Sequence, residues 1–112
     1  MSPRSQAYLW AAQRVSAMVL ALCVLVHLLT LIYAVRGGLS AAEILQRTRG
    51  SVAWGAFYAT FVIAVAVHAP IGLRAILNEW SALRGTRLDI IVAIVALVLL
   101  VLGMRAVWAV IA

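Results

Sequence analysis

Three long apolar segments constrain this 112-residue chain more than any other feature of its sequence. They cover residues 11–33, 52–77 and 88–111, and each has the roughly 20 apolar residues that a helix needs to cross a bilayer core of about 30 Å. They lack the alternation of a membrane β-barrel strand. The sequence therefore predicts an all-α membrane protein with three transmembrane helices, up-down-up, as a single transmembrane domain over residues 1–112.

Two short polar connections separate these segments. The first, residues 36–51, contains a Ser-Ala-Ala-Glu capping box that starts at Ser40 and predicts a short interfacial helix over about residues 41–48. The second, residues 78–87, has Gly85 as its turn residue. Three helices of this size cannot bury much of their own surface, so we expect them to pack against a partner anchor subunit.

The charge of the chain points to membrane flanks rather than to nucleic acid. All nine basic residues are Arg, and they are scattered over the termini and connections, giving a net charge of +6. Five would lie on the side of the N-terminus and four on the other, so the positive-inside rule favours a cytoplasmic N-terminus by one residue. Residues 1–10 form a short polar lead, and the apolar run after them is too long for a cleavable signal peptide.

The three spans contain two histidines, His27 in the first and His68 in the second. An ionisable side chain at membrane depth usually marks a pathway, a proton relay or a bound cofactor. The plainer alternative is that each imidazole hydrogen-bonds a neighbouring helix. Counted along the spans, the two differ in depth by about 10 Å, which argues against one iron shared between them. Each would then need a partner ligand from another chain.

Small residues share a helix face with His68. Ala64, Gly72 and Ala75 lie one or two turns from it on that face, where they let a flat group or another helix approach closely. Pro70 is expected to kink the helix nearby.

Two motifs resemble those of a known family, the cytochrome b membrane subunit of succinate dehydrogenase. Residues 13–17, Gln-Arg-Val-Ser-Ala, resemble the HRxSG motif that opens the first helix of that subunit. In the second helix, His68 is followed by Gly72, Arg74 and Glu79, which matches the family's spacing of His, Gly, Arg and an acid. The departures are Gln for the leading His and Ala for the Gly of the first motif.

The resemblance implies a role for several side chains. His68 would be an axial ligand of a b-type haem, with the second ligand from a sister anchor subunit. Arg14 and Arg74 would contact the cofactor, and Arg14 and Ser16 would line a quinone pocket. His27 is similar to the extra first-helix ligand of family members that carry two haems, so a second haem b is expected through it.

The resemblance also implies a function. The chain would be the membrane-anchor subunit of a succinate:quinone oxidoreductase (succinate dehydrogenase or fumarate reductase) in a bacterial inner membrane. It would pass electrons between soluble flavoprotein and iron–sulfur subunits and membrane quinone. Nothing in the sequence resembles a dicarboxylate site, so that chemistry would belong to the soluble partners.

Other functions remain open at this point. One is a haem-free structural anchor or accessory subunit, in which the histidines only hydrogen-bond between helices. Another is a small transporter protomer with histidine proton relays. A transporter of that kind is expected to carry a membrane-embedded carboxylate, whereas the three acids here fall at span ends or in connections.

Overall fold

The computed structural model describes all 112 residues as four helices without a strand. Helix α1 covers Pro3–Arg36, α2 covers Ala41–Thr48, α3 covers Val52–Trp80 and α4 covers Gly85–Ile111. Of these, α1, α3 and α4 are long and apolar enough to cross a membrane. The prediction of an all-α membrane protein with three spans is therefore confirmed.

Helix α1 starts well before its apolar segment. Ser2 caps it, accepting a 3.1 Å hydrogen bond from the backbone N–H of Ser5, and Pro3 occupies the first turn, where its missing N–H costs nothing. Most of the polar lead is consequently helical. Hydropathy locates the part of a helix that crosses lipid, whereas the caps decide where the helix begins.

Helix α2 has both hydrogen bonds of a capping box. The hydroxyl of Ser40 accepts from the backbone N–H of Glu43 at 3.2 Å, and the Glu43 carboxylate accepts from the Ser40 N–H at 2.8 Å. The helix lies between the end of α1 and the start of α3, which places it at the membrane surface opposite the N-terminus.

The end of α2 is bonded to the end of α4. The Thr48 hydroxyl donates to the Val110 carbonyl at 2.6 Å, and the Gly50 N–H donates to the Ile111 carbonyl at 2.7 Å. The last carbonyls of a helix have no partner within that helix. Here the first connection supplies two donors to the end of α4, on the side of the membrane opposite the N-terminus.

Helix α3 is the central helix of the bundle. Both α1 and α4 pack mainly on α3 rather than on each other. The two helices α3 and α4 are tightly packed at Gly103, where an added Cβ would lie 2.5 Å from a methyl group of Val62. Helix α3 continues as one helix through the buried Pro70.

The three spans enclose almost no core of their own. Only seven of the 112 residues are buried, and Leu88 is the one large side chain with no exposed surface. The molecule is 49 Å long and about 24 Å across. Most of its apolar side chains therefore face lipid or another protein.

We expect Gly103→Ala to destabilise the α3–α4 contact, because the new methyl group would overlap Val62 and overpacking typically costs about 1–3 kcal/mol. The thermal midpoint of the purified protein should fall. Gly55→Ala is the matched control, since its Cβ would meet only Ile111, with the flexible end of that side chain 3.2 Å away and its other methyl group at an ordinary 3.7 Å. Adding Val62→Ala to Gly103→Ala should restore most of the loss; equal midpoints for the two glycine variants would contradict this packing.

Candidate functional site

The antiparallel course of α1 and α3 brings His68 next to Ser16. The Ser16 hydroxyl lies 3.3 Å from His68 Nδ1 and donates a 3.1 Å hydrogen bond to the Gln13 carbonyl. Because the hydroxyl proton is directed to that carbonyl, the serine oxygen is left to accept from an Nδ1–H group. This arrangement favours the tautomer whose Nε2 is free of a proton, the nitrogen that could bind a metal.

Gln13 belongs to the same site, although the sequence pattern offered only its departure from a family motif. Its side-chain oxygen is buried without a hydrogen-bond partner. Its side-chain nitrogen lies over Gly72, where an added Cβ would come within 3.2 Å of it. Gly72 thus makes room for a side chain of α1, and the amide oxygen is left for a donor from outside this chain.

Arg14 and Ser16 lie on different faces of α1. The two are separated by about 200° around the helix axis. Arg14 is exposed, with its guanidinium 5.2 Å from the centre of the Trp10 ring, whereas Ser16 is 6% exposed and faces α3. The structure therefore does not bring the two predicted quinone-site residues together within this chain.

Arg74 is engaged by another helix. Its Nε lies 3.1 Å from a carboxylate oxygen of Asp89, at the start of α4, and the two side chains are 25% and 59% exposed. An ion pair this accessible contributes about 0–1 kcal/mol. Six residues separate Arg74 from His68, so it projects toward α4 while His68 faces α1. Within this chain, the structure therefore does not bring Arg74 and His68 together.

His27 lies at the other level of the bundle, between α1 and α3. Its imidazole meets the rings of Tyr58 and Phe61 edge-on, with centres 5.9 and 5.7 Å away. Its Nδ1 is buried and has no hydrogen-bond partner. A buried polar atom without a partner costs free energy, which makes His27 a candidate for a group that this chain does not supply.

A cavity of about 510 Å³ opens beside His27, between α1, α2 and α3. Its lining is mostly apolar and includes the stacked rings of Trp54 and Tyr58, whose centres are 5.6 Å apart. Arg47 is the one charged residue in the lining. It donates a 3.2 Å hydrogen bond to the Tyr33 hydroxyl, and its guanidinium lies 5.6 Å from the centre of that ring. The hydrogen bond raises the pKa of Arg47 above its usual value.

The two histidines belong to separate levels. Ser16, at the level of His68, precedes His27 by eleven residues of one continuous helix, roughly 16 Å at 1.5 Å per residue. No group of three or more His, Cys, Asp or Glu side chains is close enough to hold a metal ion. This chain could therefore give one histidine ligand at each level, and the remaining ligand would have to come from outside it.

Sequence reasoning did not identify Asp89, Tyr33 or Arg47 as neighbours of the predicted site residues. No short sequence motif indicates that these residues are neighbours. Arg47 meets Tyr33 across a turn and fourteen positions, and Asp89 meets Arg74 across the second connection. Only the packing of α2 and α4 determines these pairs.

Comparison with known proteins agrees with the earlier motif resemblance. The family model for the succinate dehydrogenase/fumarate reductase transmembrane subunit matches residues 1–104. No individual curated protein and no solved structure matches the chain.

Proposed function

Because this chain belongs to the family of succinate dehydrogenase/fumarate reductase transmembrane subunits, we propose that it is the haem b-binding membrane anchor of a succinate:quinone oxidoreductase. Family membership and three apolar helices give the coarser statement, a multi-pass membrane subunit of such a complex. The proposal adds haem b, quinone and the transfer of electrons between them.

The observation that carries the haem proposal is the contact between Ser16 and His68. A metal-binding histidine usually donates its other N–H to an oxygen, which fixes the ring and makes the ligand more basic. Ser16 is placed to accept that hydrogen bond, because its own proton goes to the Gln13 carbonyl. When bound with two imidazoles, a haem supplies one-electron transfer without an open coordination position.

A second haem b at His27 is part of the proposal. Its support is the position of the His27 side chain in the wall of the large cavity and the separation of about 16 Å from the level of His68. With one histidine of this chain at each level, a sister anchor subunit would complete both iron sites. At each level, the residues of this chain would bind and orient one haem, and the two histidines would not share one iron.

Arg14 is the residue of this chain that we propose to contact quinone. It is exposed near the start of α1, where a guanidinium can donate to a quinone carbonyl. Its guanidinium also lies over the ring of Trp10, a contact that favours this orientation of the side chain. Ser16 is less available for this purpose, because it is buried and its hydroxyl already has two partners in α1 and α3.

The proposed partners follow from what the chain lacks. Nothing in its sequence resembles a flavin-binding fold or a dicarboxylate site, so a flavoprotein and an iron–sulfur subunit would carry out the succinate or fumarate chemistry. They would dock on the side of the N-terminus, at the level of His68 and Arg14. We propose a bacterial inner membrane with that side in the cytoplasm.

The first test replaces the ligand. His68→Ala should lower the haem content by one per assembled complex, because no other histidine lies at its level. The pyridine haemochrome assay on the purified complex measures this, with co-purification of all subunits as evidence of assembly. Unchanged haem in an assembled complex would reject the assignment and favour the haem-free anchor.

The second test separates a positioning role of Ser16 from a quinone role. Ser16→Ala should retain haem and raise its midpoint potential, because an imidazole that loses its hydrogen-bond acceptor is a weaker donor to ferric iron. Redox titration of the absorbance measures the shift. Ser16→Thr, which keeps the hydroxyl, should restore the potential. A rise in the KM for quinone with the potential unchanged would instead assign Ser16 to the quinone pocket.

The third test concerns Arg14. Arg14→Leu should lower kcat/KM for quinone roughly ten- to hundredfold, the equivalent of a lost hydrogen bond from a charged donor. Succinate oxidation with an artificial soluble acceptor should continue at the original rate. Arg4→Leu, which removes an exposed arginine of the same helix, is the control. An equal loss of both activities would indicate defective assembly and contradict a specific quinone role.

A further inference from the structure

The cavity beside His27 combines features that few ligands satisfy together. Its volume of about 510 Å³ falls in the range of roughly 300–1,000 Å³ that is typical of ligand pockets. Its walls are apolar and partly aromatic. One end carries a single cation, Arg47, and the imidazole of His27 lies deeper, with a buried and unpartnered nitrogen.

No carboxylate lies within ion-pair distance of Arg47, and Glu43, one turn earlier on α2, acts on its charge only at longer range. The one ion pair in the structure joins Arg74 to Asp89, at the opposite side of the membrane. The contacts of Arg47 are the neutral hydroxyl and the ring of Tyr33. A guanidinium held in this way, at the mouth of an apolar cavity, is matched by a carboxylate or a phosphate.

The residues that line the cavity favour one of three amphiphilic ligands: an acyl chain, a quinone or a haem. An acyl chain would fill the apolar space but offer nothing to the His27 imidazole. A quinone could hydrogen-bond that imidazole but would leave Arg47 without a counter-charge. A haem has a flat apolar body, a metal for a histidine and carboxylates along one edge, so it alone matches both ends.

We infer that Arg47, held by Tyr33, binds a propionate of a haem that His27 ligates in this cavity. The inference rests on the proposed second haem and names the residues that would orient it. Six residues of α1 separate His27 from Tyr33, about 9 Å along the helix axis, so the imidazole and the cation lie at different depths of one pocket. The amphipathic helix α2 thereby contributes a side chain to a site that is otherwise formed by α1 and α3.

The sign of the expected effect follows from electrostatics. A positive charge near a haem disfavours the ferric state, which carries one more positive charge than the ferrous state. Removing that charge should therefore lower the midpoint potential of the haem at His27 and leave the haem at His68 unchanged.

The matched control is Arg49, which ends the same short helix but does not line the cavity. We would prepare the whole complex with Arg47→Gln, Arg49→Gln, Tyr33→Phe or His27→Ala. For each, redox titration of the haem absorbance gives the potentials, and pyridine haemochrome gives the haem content. Phosphorus analysis gives the tightly bound phospholipid.

The expected result is a lower potential for one haem component with Arg47→Gln, a smaller shift of the same sign with Tyr33→Phe, and no shift with Arg49→Gln. His27→Ala should remove that component and one haem per complex. Equal potentials for the Arg47 and Arg49 variants, with one haem still lost in His27→Ala, would overturn the propionate site and leave the second haem standing.

Two further outcomes would also overturn the inference. Haem content unchanged by His27→Ala would reject the second haem itself, without affecting the haem at His68. Loss of one phospholipid in Arg47→Gln but not in Arg49→Gln, with both potentials unchanged, would identify a lipid phosphate as the partner of Arg47.

Discussion

Hydrocarbon supplies no hydrogen bonds, so the polar side chains within the spans must find their partners in protein or in a bound group. Most of them bond within the chain. Thr30 and Thr60 donate to backbone carbonyls of their own helices, and Ser16 bonds both its helix and His68. Among the buried side-chain atoms, the exceptions are one atom of Gln13 and one of His27. Each lies at one of the two histidine levels, so the unsatisfied atoms coincide with the places where the proposed function requires a ligand.

The arrangement of the helices explains why these positions remain incomplete. Because α1 and α4 both pack on α3, the bundle is open along its sides and buries few residues. Cavities extend from His27 on both sides of the α1–α3 contact, one toward α2 and a smaller one toward Gly103 of α4. A compact three-helix bundle would have closed around the histidines. This one leaves them accessible to a second subunit and a flat cofactor.

Much of the fold could be predicted from local signals. Span length and uniform apolarity indicate three helices, and the Ser40 capping box marks the position of α2, since a cap depends on residues three positions apart. The start of α1 was less predictable, because hydropathy does not register a helix that continues into water. Helix α3 continues through Pro70 although the proline removes one backbone hydrogen bond, and local sequence does not determine whether a helix ends or continues at such a residue.

The candidate site was predictable only in part. The spacing around His68 identified it and Gly72, and the first motif identified Ser16, which the structure places beside His68. The partners of Arg74 and Arg47 were not predictable, because they depend on how helices distant in sequence pack. The roles given to Arg14, Arg74 and His27 stay predictions. For Arg14 and Arg74, the geometry shows that neither side chain faces His68 within this chain.

The vertical spacing of the two histidines has an electrical consequence. The level of Ser16 and His68 is roughly 16 Å from that of His27, about half the thickness of the hydrocarbon core. A charge that passes between these levels crosses a comparable share of the transmembrane voltage, so 100 mV changes its energy on the order of 1 kcal/mol. Charge exchange between the levels is therefore sensitive to the energised state of the membrane, whereas exchange confined to either level is nearly insensitive to it.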